Sequence, residues 1–483
     1  MQKWLYIGVM WICGLCSALS AGQQTQSRFT ILGLGDSITE GGDYFTCYLY
    51  PLWQRLFTAG YAFDFIGPRE SACRIGSLRH AGFSGKPVEF LEQQIDSIYR
   101  CYPADFVLLH AGHNHTVEEQ PIEGMLKAYQ SIIRQILAIN PKAHILLAQV
   151  IPSGKLPKYS YIPELNRQIG QLVRSLDHPQ VHLVDQATGF DWQQMTVADR
   201  VHPNRAGGER MAEVWFQALQ PLLLPSEQGA FQPEIIPYKG LERGDSLTLH
   251  LFRPTVSAST GVHPVILFFF GGGWQYGTPL QFYRECAYYA SRGFVAVAVD
   301  YRIRYLHHTT PFESLADAQD AVRWIRKDAS AFGIDPHRVV VAGGSAGGHL
   351  AASLGTIGTT DTTRADYCPD LMLLYYPVLD LGPEGYSHEQ VKERWLEISP
   401  LWHVSRQTPE TLLMVGLEDR IAPYRVAEQF QQALQQKGVR CELQGFPGLG
   451  HPLFLYRQPL HETFYEVRRL TDQFLQSVQY LIP

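Results

Sequence analysis

Beyond residue 16 the chain has no Cys-x-x-Cys pair. Its six remaining cysteines, Cys47, Cys73, Cys101, Cys286, Cys368 and Cys441, are scattered, which excludes the ligand spacing of a structural zinc site. Positive charge is not in excess either: 40 Lys and Arg stand against 46 Asp and Glu, a formal net charge of −6. Nothing in that balance attracts nucleic acid or an anionic membrane surface. Internal repeats and low-complexity tracts are lacking. The apolar stretch Trp4 to Leu15 is shorter than the ~20 residues that a spanning helix needs. With Lys3 before it and Ser17-Ala18-Leu19-Ser20-Ala21-Gly22 after it, this stretch has the order of a secretory signal, cleaved after Ser20, Ala21 or Gly22. Leu15 occupies the place where lipid attachment at Cys16 would need a small residue. The expectation is an exported protein, with residues 1–22 as signal peptide and no membrane contact after cleavage. Export permits disulfides, but three cysteines in each half would leave a free thiol in each if pairing stays within halves.

What is present is enough for two cores. With 483 residues, 45% of them hydrophobic, the chain exceeds the usual single-core size. Pro221, Pro225, Pro233 and Pro237 punctuate a polar stretch that can sustain neither a helix nor an inner strand. The expected division is a first domain over 28–221, a linker over 222–238 with its boundary near Ser226, and a second domain over 239–483.

In the first half, apolar runs at Phe29 to Leu34, Phe63 to Gly67, Phe106 to His110, Ala143 to Val150 and Val181 to Val184 alternate with helical stretches. That alternation predicts a parallel sheet covered on both faces. The first run ends in Gly35-Asp36-Ser37-Ile38-Thr39-Glu40-Gly41, which puts Ser37 at the carboxyl edge where open α/β sheets build sites, although the Gly-Asp-Ser tripeptide by itself favours an ordinary turn or helix cap. Three further blocks follow: Arg79-His80-Ala81-Gly82-Phe83-Ser84-Gly85, Ala111-Gly112-His113-Asn114-His115 and Asp199-Arg200-Val201-His202-Pro203-Asn204. In this order the four blocks resemble the SGNH (GDSL-type) hydrolases, and the first two resemble the secreted carbohydrate acetylesterases of that group. The resemblance implies a flavodoxin-like sheet, Ser37 as nucleophile, His202 as general base oriented by Asp199, and the Gly82 N–H and Asn114 amide as oxyanion donors. His115 stands where the family usually has Asp, which leaves open how the Asn114 loop is braced. His110, His113 and His115 are rival bases, better suited to substrate contact or loop packing.

In the second half, Val339-Val340-Val341-Ala342-Gly343-Gly344-Ser345-Ala346-Gly347-Gly348 reads as strand, tight turn and helix. Small residues two before and two after the serine are what a strained nucleophile elbow requires. Upstream, an apolar run ends in Phe270-Gly271-Gly272-Gly273-Trp274. The whole stretch resembles the α/β-hydrolase superfamily, in its hormone-sensitive-lipase-like and acetyl- or feruloyl-esterase branches. It implies oxyanion donors from Gly272, Gly273 and Ala346, with Phe270 in place of the motif's leading His. The order Ser, acid, His in this fold selects Asp419 and His451, each just past a predicted strand. Asp380 is the rival acid.

The combined expectation is an exported serine esterase with two separate triads, Ser37–His202–Asp199 and Ser345–His451–Asp419, using no metal or cofactor. By resemblance its substrate is acylated carbohydrate, carrying acetyl and also feruloyl groups. Two rivals stand beside it: a lipid- or small-ester hydrolase, and a chain in which one half is a non-catalytic carbohydrate-binding module. Aromatics such as Trp53, Tyr161, Trp192, Trp274 and Tyr276 are candidates for stacking on sugars, although most suit packing.

Overall fold

The computed structural model describes residues 28–224, 229–242, 244–256, 261–451, 453–454 and 461–481. The expected signal peptide and the expected boundary at Ser226 lie outside the described residues. Two α/β sheets follow one another along the chain. The first has the hydrogen-bonded order β3-β4-β1-β5-β6-β7, with β2 also paired to β1. Its strands are β1 (Phe29–Gly35), β2 (Phe63–Phe65), β3 (Arg69–Cys73), β4 (Gly76–Gly82), β5 (Phe106–His110), β6 (His144–Ala148) and β7 (Val181–Val184). All pairings are parallel except β3 with β4.

Period-two alternation explains why helices cover both faces. Leu32, Leu34, Val107, Leu109, Ile145 and Leu147 point into one core, against Val88–Cys101, Ile122–Ile139 and Ile162–Leu176. Their neighbours Ile31, Leu108 and Leu146 point into the other, against Leu49–Thr58 and Arg205–Leu219. A central sheet buried on both sides leaves its strand ends as the places where polar chemistry can meet solvent. Ser37 follows one of those ends.

The second sheet has eight strands in the order β15-β14-β13-β12-β10-β11-β9-β8. They are β8 (Glu234–Gly240), β9 (Ser246–Phe252), β10 (His263–Phe269), β11 (Val295–Val299), β12 (Ile334–Gly344), β13 (Leu371–Tyr375), β14 (Glu410–Gly416) and β15 (Cys441–Phe446). The chain crosses over so that β12, which leads into Ser345, lies at the centre between β10 and β13. The expected linker over 222–238 differs from the structure at its far end, because Glu234–Gly240 pairs antiparallel with β9 as the edge strand. An edge needs no second ladder of N–H donors, and the register shifts at Pro237, so proline is accommodated there.

The two sheets share an apolar seam. The Phe231 N–H donates to the Thr58 carbonyl at 2.8 Å, and its ring lies 6.1 Å from Phe57 and 5.7 Å from Tyr283. All six described cysteines are free thiols.

Candidate active sites

Ser37 opens the short helix Ser37–Glu40, and the Asp36 side chain caps that helix by accepting the Ile38 N–H at 3.0 Å. The cap and the candidate nucleophile are therefore one device, not alternatives. Ser37 Oγ lies 2.9 Å from His202 Nε2, and His202 Nδ1 lies 2.6 Å from Asp199 Oδ2. The second Asp199 oxygen accepts the Val201 and His202 amides at 2.8 and 3.0 Å. Partial burial pushes the Asp199 carboxyl upward, yet the His202 ring and those two amides outweigh it and hold the group below the usual range. An ionised acid at this distance orients the ring with its proton on Nδ1, leaving Nε2 to accept from the serine.

The expected oxyanion donors of this site are differently engaged. The Gly82 N–H donates to His80 Nδ1 at 2.9 Å, and Asn114 Nδ2 spends one hydrogen on the Lys86 carbonyl at 3.0 Å. Gly82 is required in any case, since a Cβ there would stand 2.5 Å from the Glu40 amide. The loop with His115 in place of Asp is braced electrostatically: the imidazole bridges Glu119 at 2.5 Å and Glu89 at 3.0 Å. His110 and His113 are not brought to Ser37. Burial pushes them down to about 4 and about 3, so they pack as neutral rings.

Ser345 follows β12 with φ at +57° and ψ at −121°, a strained conformation for a residue with a side chain. A Cβ at Gly347 would lie 2.0 Å from the Phe269 carbonyl oxygen, and one at Gly343 would lie 2.4 Å from Gly347. Only glycine at both positions lets the chain turn this sharply beneath the serine. Ser345 Oγ is 2.9 Å from His451 Nε2, and His451 Nδ1 is 2.8 Å from Asp419 Oδ2. The other Asp419 oxygen accepts the Ile421 and Ala422 amides, so this acid is held in the same way as Asp199. Asp380 is elsewhere, accepting from the Gly382 amide and the Trp402 indole. His349 is buried and donates through Nε2 to the Ile398 carbonyl at 2.7 Å.

Gly272 and Gly273, both at positive φ, line the same cavity as Ser345 and His451. Ala346 opens the helix Ala346–Thr356, whose first amides have no intrahelical acceptor. Phe270 answers the question raised by its substitution for His. Its ring stacks on Tyr301 at 4.0 Å and its carbonyl accepts the Tyr301 hydroxyl at 2.6 Å, which anchors the root of the glycine loop. The Gly271 amide is fixed by Gln281 at 2.7 Å.

Of the aromatic candidates, Trp274 and Tyr161 are buried, and Trp192 packs over Gly154. Trp53 and Tyr276 line the Ser345 cavity, whose volume is about 540 Å³. Sequence reasoning missed Phe45, whose ring lies 4.3 Å from His202, and Tyr376, edge-on to His451 at 4.8 Å. Neither carries a sequence signal, because both are placed by tertiary packing. Among the described residues, no three His, Cys, Asp or Glu side chains converge to hold a metal ion.

Comparisons agree with both halves. Residues 34–210 match the GDSL-like Lipase/Acylhydrolase family, and residues 249–371 match the BD-FAE family. Esterase LipC of Mycobacterium tuberculosis is 29% identical over 215 residues, covering 39% of this chain and 52% of that protein. Acetylxylan esterase of Xylanibacter ruminicola is 24% identical over 197 residues, covering 38% of this chain and 39% of that protein. The chain spans about half the length of the first curated relatives it matches. Among solved structures, the apo form of Thermogutta terrifontis esterase 2 is 33% identical over 52% of this chain and 96% of its own, with a TM-score of 0.48.

Proposed function

From a chain that joins a GDSL-like acylhydrolase domain to a BD-FAE α/β-hydrolase domain, we infer an exported carboxylic ester hydrolase with two active sites acting on acylated carbohydrate. The observation that carries this reading is the pair of Ser–His–Asp chains, with Ser–His distances of 2.9 Å in both and His–Asp distances of 2.6 and 2.8 Å. In each, His accepts the serine proton as Oγ bonds to the ester carbonyl carbon. The carbonyl oxygen becomes an oxyanion, which at Ser345 faces the Gly272, Gly273 and Ala346 amides. Collapse breaks the bond to the alcohol oxygen, which leaves with the proton from His. Water then repeats the sequence on the acyl-enzyme, and the acid and the free serine are regenerated. Acetyl groups, and feruloyl groups beside them, are the acyl groups this reading assigns; the acetylxylan esterase among the relatives supports it.

A second reading draws on one observation. With its N–H spent on His80, Gly82 offers no free donor, as it would in a first half that binds carbohydrate without cleaving it. Ser37→Ala and Ser345→Ala separate the two. Under the proposed function each removes a different part of the activity on acetylated and feruloylated oligosaccharides. A Ser37→Ala protein with full activity on every ester tried refutes the two-site reading in favour of the binding module.

A further inference from the structure

The cavity at Ser345 is not built by the second domain alone. Alongside the serine, His451 and the glycine loop, it is lined by Trp53, Phe57, Tyr61, Phe63 and Ile75 of the first domain. Trp53 and Phe57 lie nearly parallel, 5.1 Å apart, on the helix Leu49–Thr58. Ile75 sits in the turn between β3 and β4, and its neighbour Arg74 fastens that turn across the seam. The Arg74 carbonyl accepts the Gly277 amide at 2.6 Å, its Nε donates to the Gly277 carbonyl at 2.9 Å, and its guanidinium pairs with the buried Asp300. The Tyr305 hydroxyl adds a bond to the Ala72 carbonyl at 3.2 Å. Gly277 closes the segment that starts at Gly272, whose carbonyl accepts the Tyr276 amide at 3.0 Å. One hairpin of the first domain thus both grips the strand end behind the glycine loop and presents an apolar side chain to the cavity.

We propose that the first domain is a specificity wall of the Ser345 site, and that the wall receives the flat, apolar part of the ester substrate, such as an aromatic acyl group. The chemistry fits the lining: a cavity of about 540 Å³ lies in the range of ligand sites, and parallel aromatic rings favour a planar group over a compact one. An acetyl group fills only a small part of a cavity of this volume, whereas an aromatic acyl group fills much more of it, so contact with the wall distinguishes large esters from small ones. The proposal rests on Ser345 being the nucleophile of an esterase.

The test uses the full chain in a Ser37→Ala background, so that only the Ser345 site is read, with ethyl ferulate and ethyl acetate as substrates. Ile75→Trp, which fills the cavity from the first-domain side, is expected to lower the ferulate-to-acetate ratio of kcat/KM at least tenfold, through KM for ferulate. A smaller change overturns the proposal. Ile75→Phe, judged by the same criterion, replaces it if the tryptophan variant fails to fold. A Ser37→Ala parent that cleaves acetate but not ferulate also overturns the wall, while leaving the esterase reading intact. A parent that cleaves neither ester, when Ser345→Ala also changes nothing, sinks the esterase reading itself and the wall with it.

Discussion

Replacing Asp36 by asparagine should stabilise the first domain at neutral pH and leave it unchanged in acid. Asp36 is fully buried, and burial pushes its carboxyl from the ordinary 3.8 up to about 6; the capping amide of Ile38, the amides of His113 and Gly112 and the His202 ring oppose this without offsetting it. Because the folded value is raised, the native state binds the proton more tightly than the unfolded chain does. Below about pH 3.8 both states are protonated and the site costs nothing. As pH rises through 6 that stability is lost, and above it the folded protein carries a buried charge. The interval from 3.8 to about 6, at about 1.4 kcal/mol per pH unit, amounts to about 3 kcal/mol. Asparagine keeps an acceptor for the cap, where it performs as well as aspartate, and never ionises. For a domain of this size the gain corresponds to roughly 6–12 °C in Tm. Chemical denaturation of wild type and Asp36→Asn between pH 4 and 8 reads the difference directly. It should grow from pH 4 to a little above 6 and be level from pH 7 upward. A difference that is flat with pH, or a variant less stable at pH 8, would refute a buried carboxyl of raised pKa.

Two further predictions concern the second site. Asp419→Asn should leave the cavity intact but remove the charge that holds His451 in the productive tautomer, lowering kcat on Ser345 substrates by about 10⁴ in a Ser37→Ala background; a loss under tenfold would mean that Asp419 does not orient His451. Gly347→Ala places a Cβ 2.0 Å from the Phe269 carbonyl, a rigid backbone contact that cannot yield, so the second domain should lose at least about 1–3 kcal/mol along with Ser345 activity. Thermal unfolding and ester assays together check this, and an unperturbed Tm would show that the elbow is looser than its φ of +57° implies.

The elements that sequence reasoning located are those whose local pattern is also their tertiary role. β12 and its elbow were legible because a buried strand, a strained turn and close helix packing each demand small or apolar residues at fixed spacing. The same holds for the apolar strands of the first sheet, buried on both faces. The hairpin β3–β4 was not legible: Arg69–Cys73 is polar and largely exposed, an antiparallel edge with no alternation to find. The strand Glu234–Gly240 hid behind Pro233 before it and Pro237 within it, which an edge tolerates. At the sites, the six triad residues came from motif and chain order, and the structure brings them together as two groups. What no spacing could convey is competition for a donor, such as His80 taking the Gly82 amide, because that depends on a side-chain rotamer in the folded state.

The two serines are presented by different physics, and this bears on why they share a chain. Ser345 is held by backbone strain, so its site is as rigid as the glycine packing beneath it. Ser37 is held by a buried cap whose ionisation costs stability near neutral pH, so its site depends on the solvent condition. β4 connects them: its seven residues span about 23 Å, from the turn that grips Gly277 to Gly82 beside the Ser37 helix. A first domain that served only its own serine would have no need to bury an Arg74–Asp300 pair in the second domain, since desolvating two charges offsets much of their attraction. The pair makes sense as a positional device, fixing Ile75 against the cavity and the chain behind the oxyanion loop. Joining the domains then has a structural reason independent of any polymer they share: the second site is incomplete without the first fold.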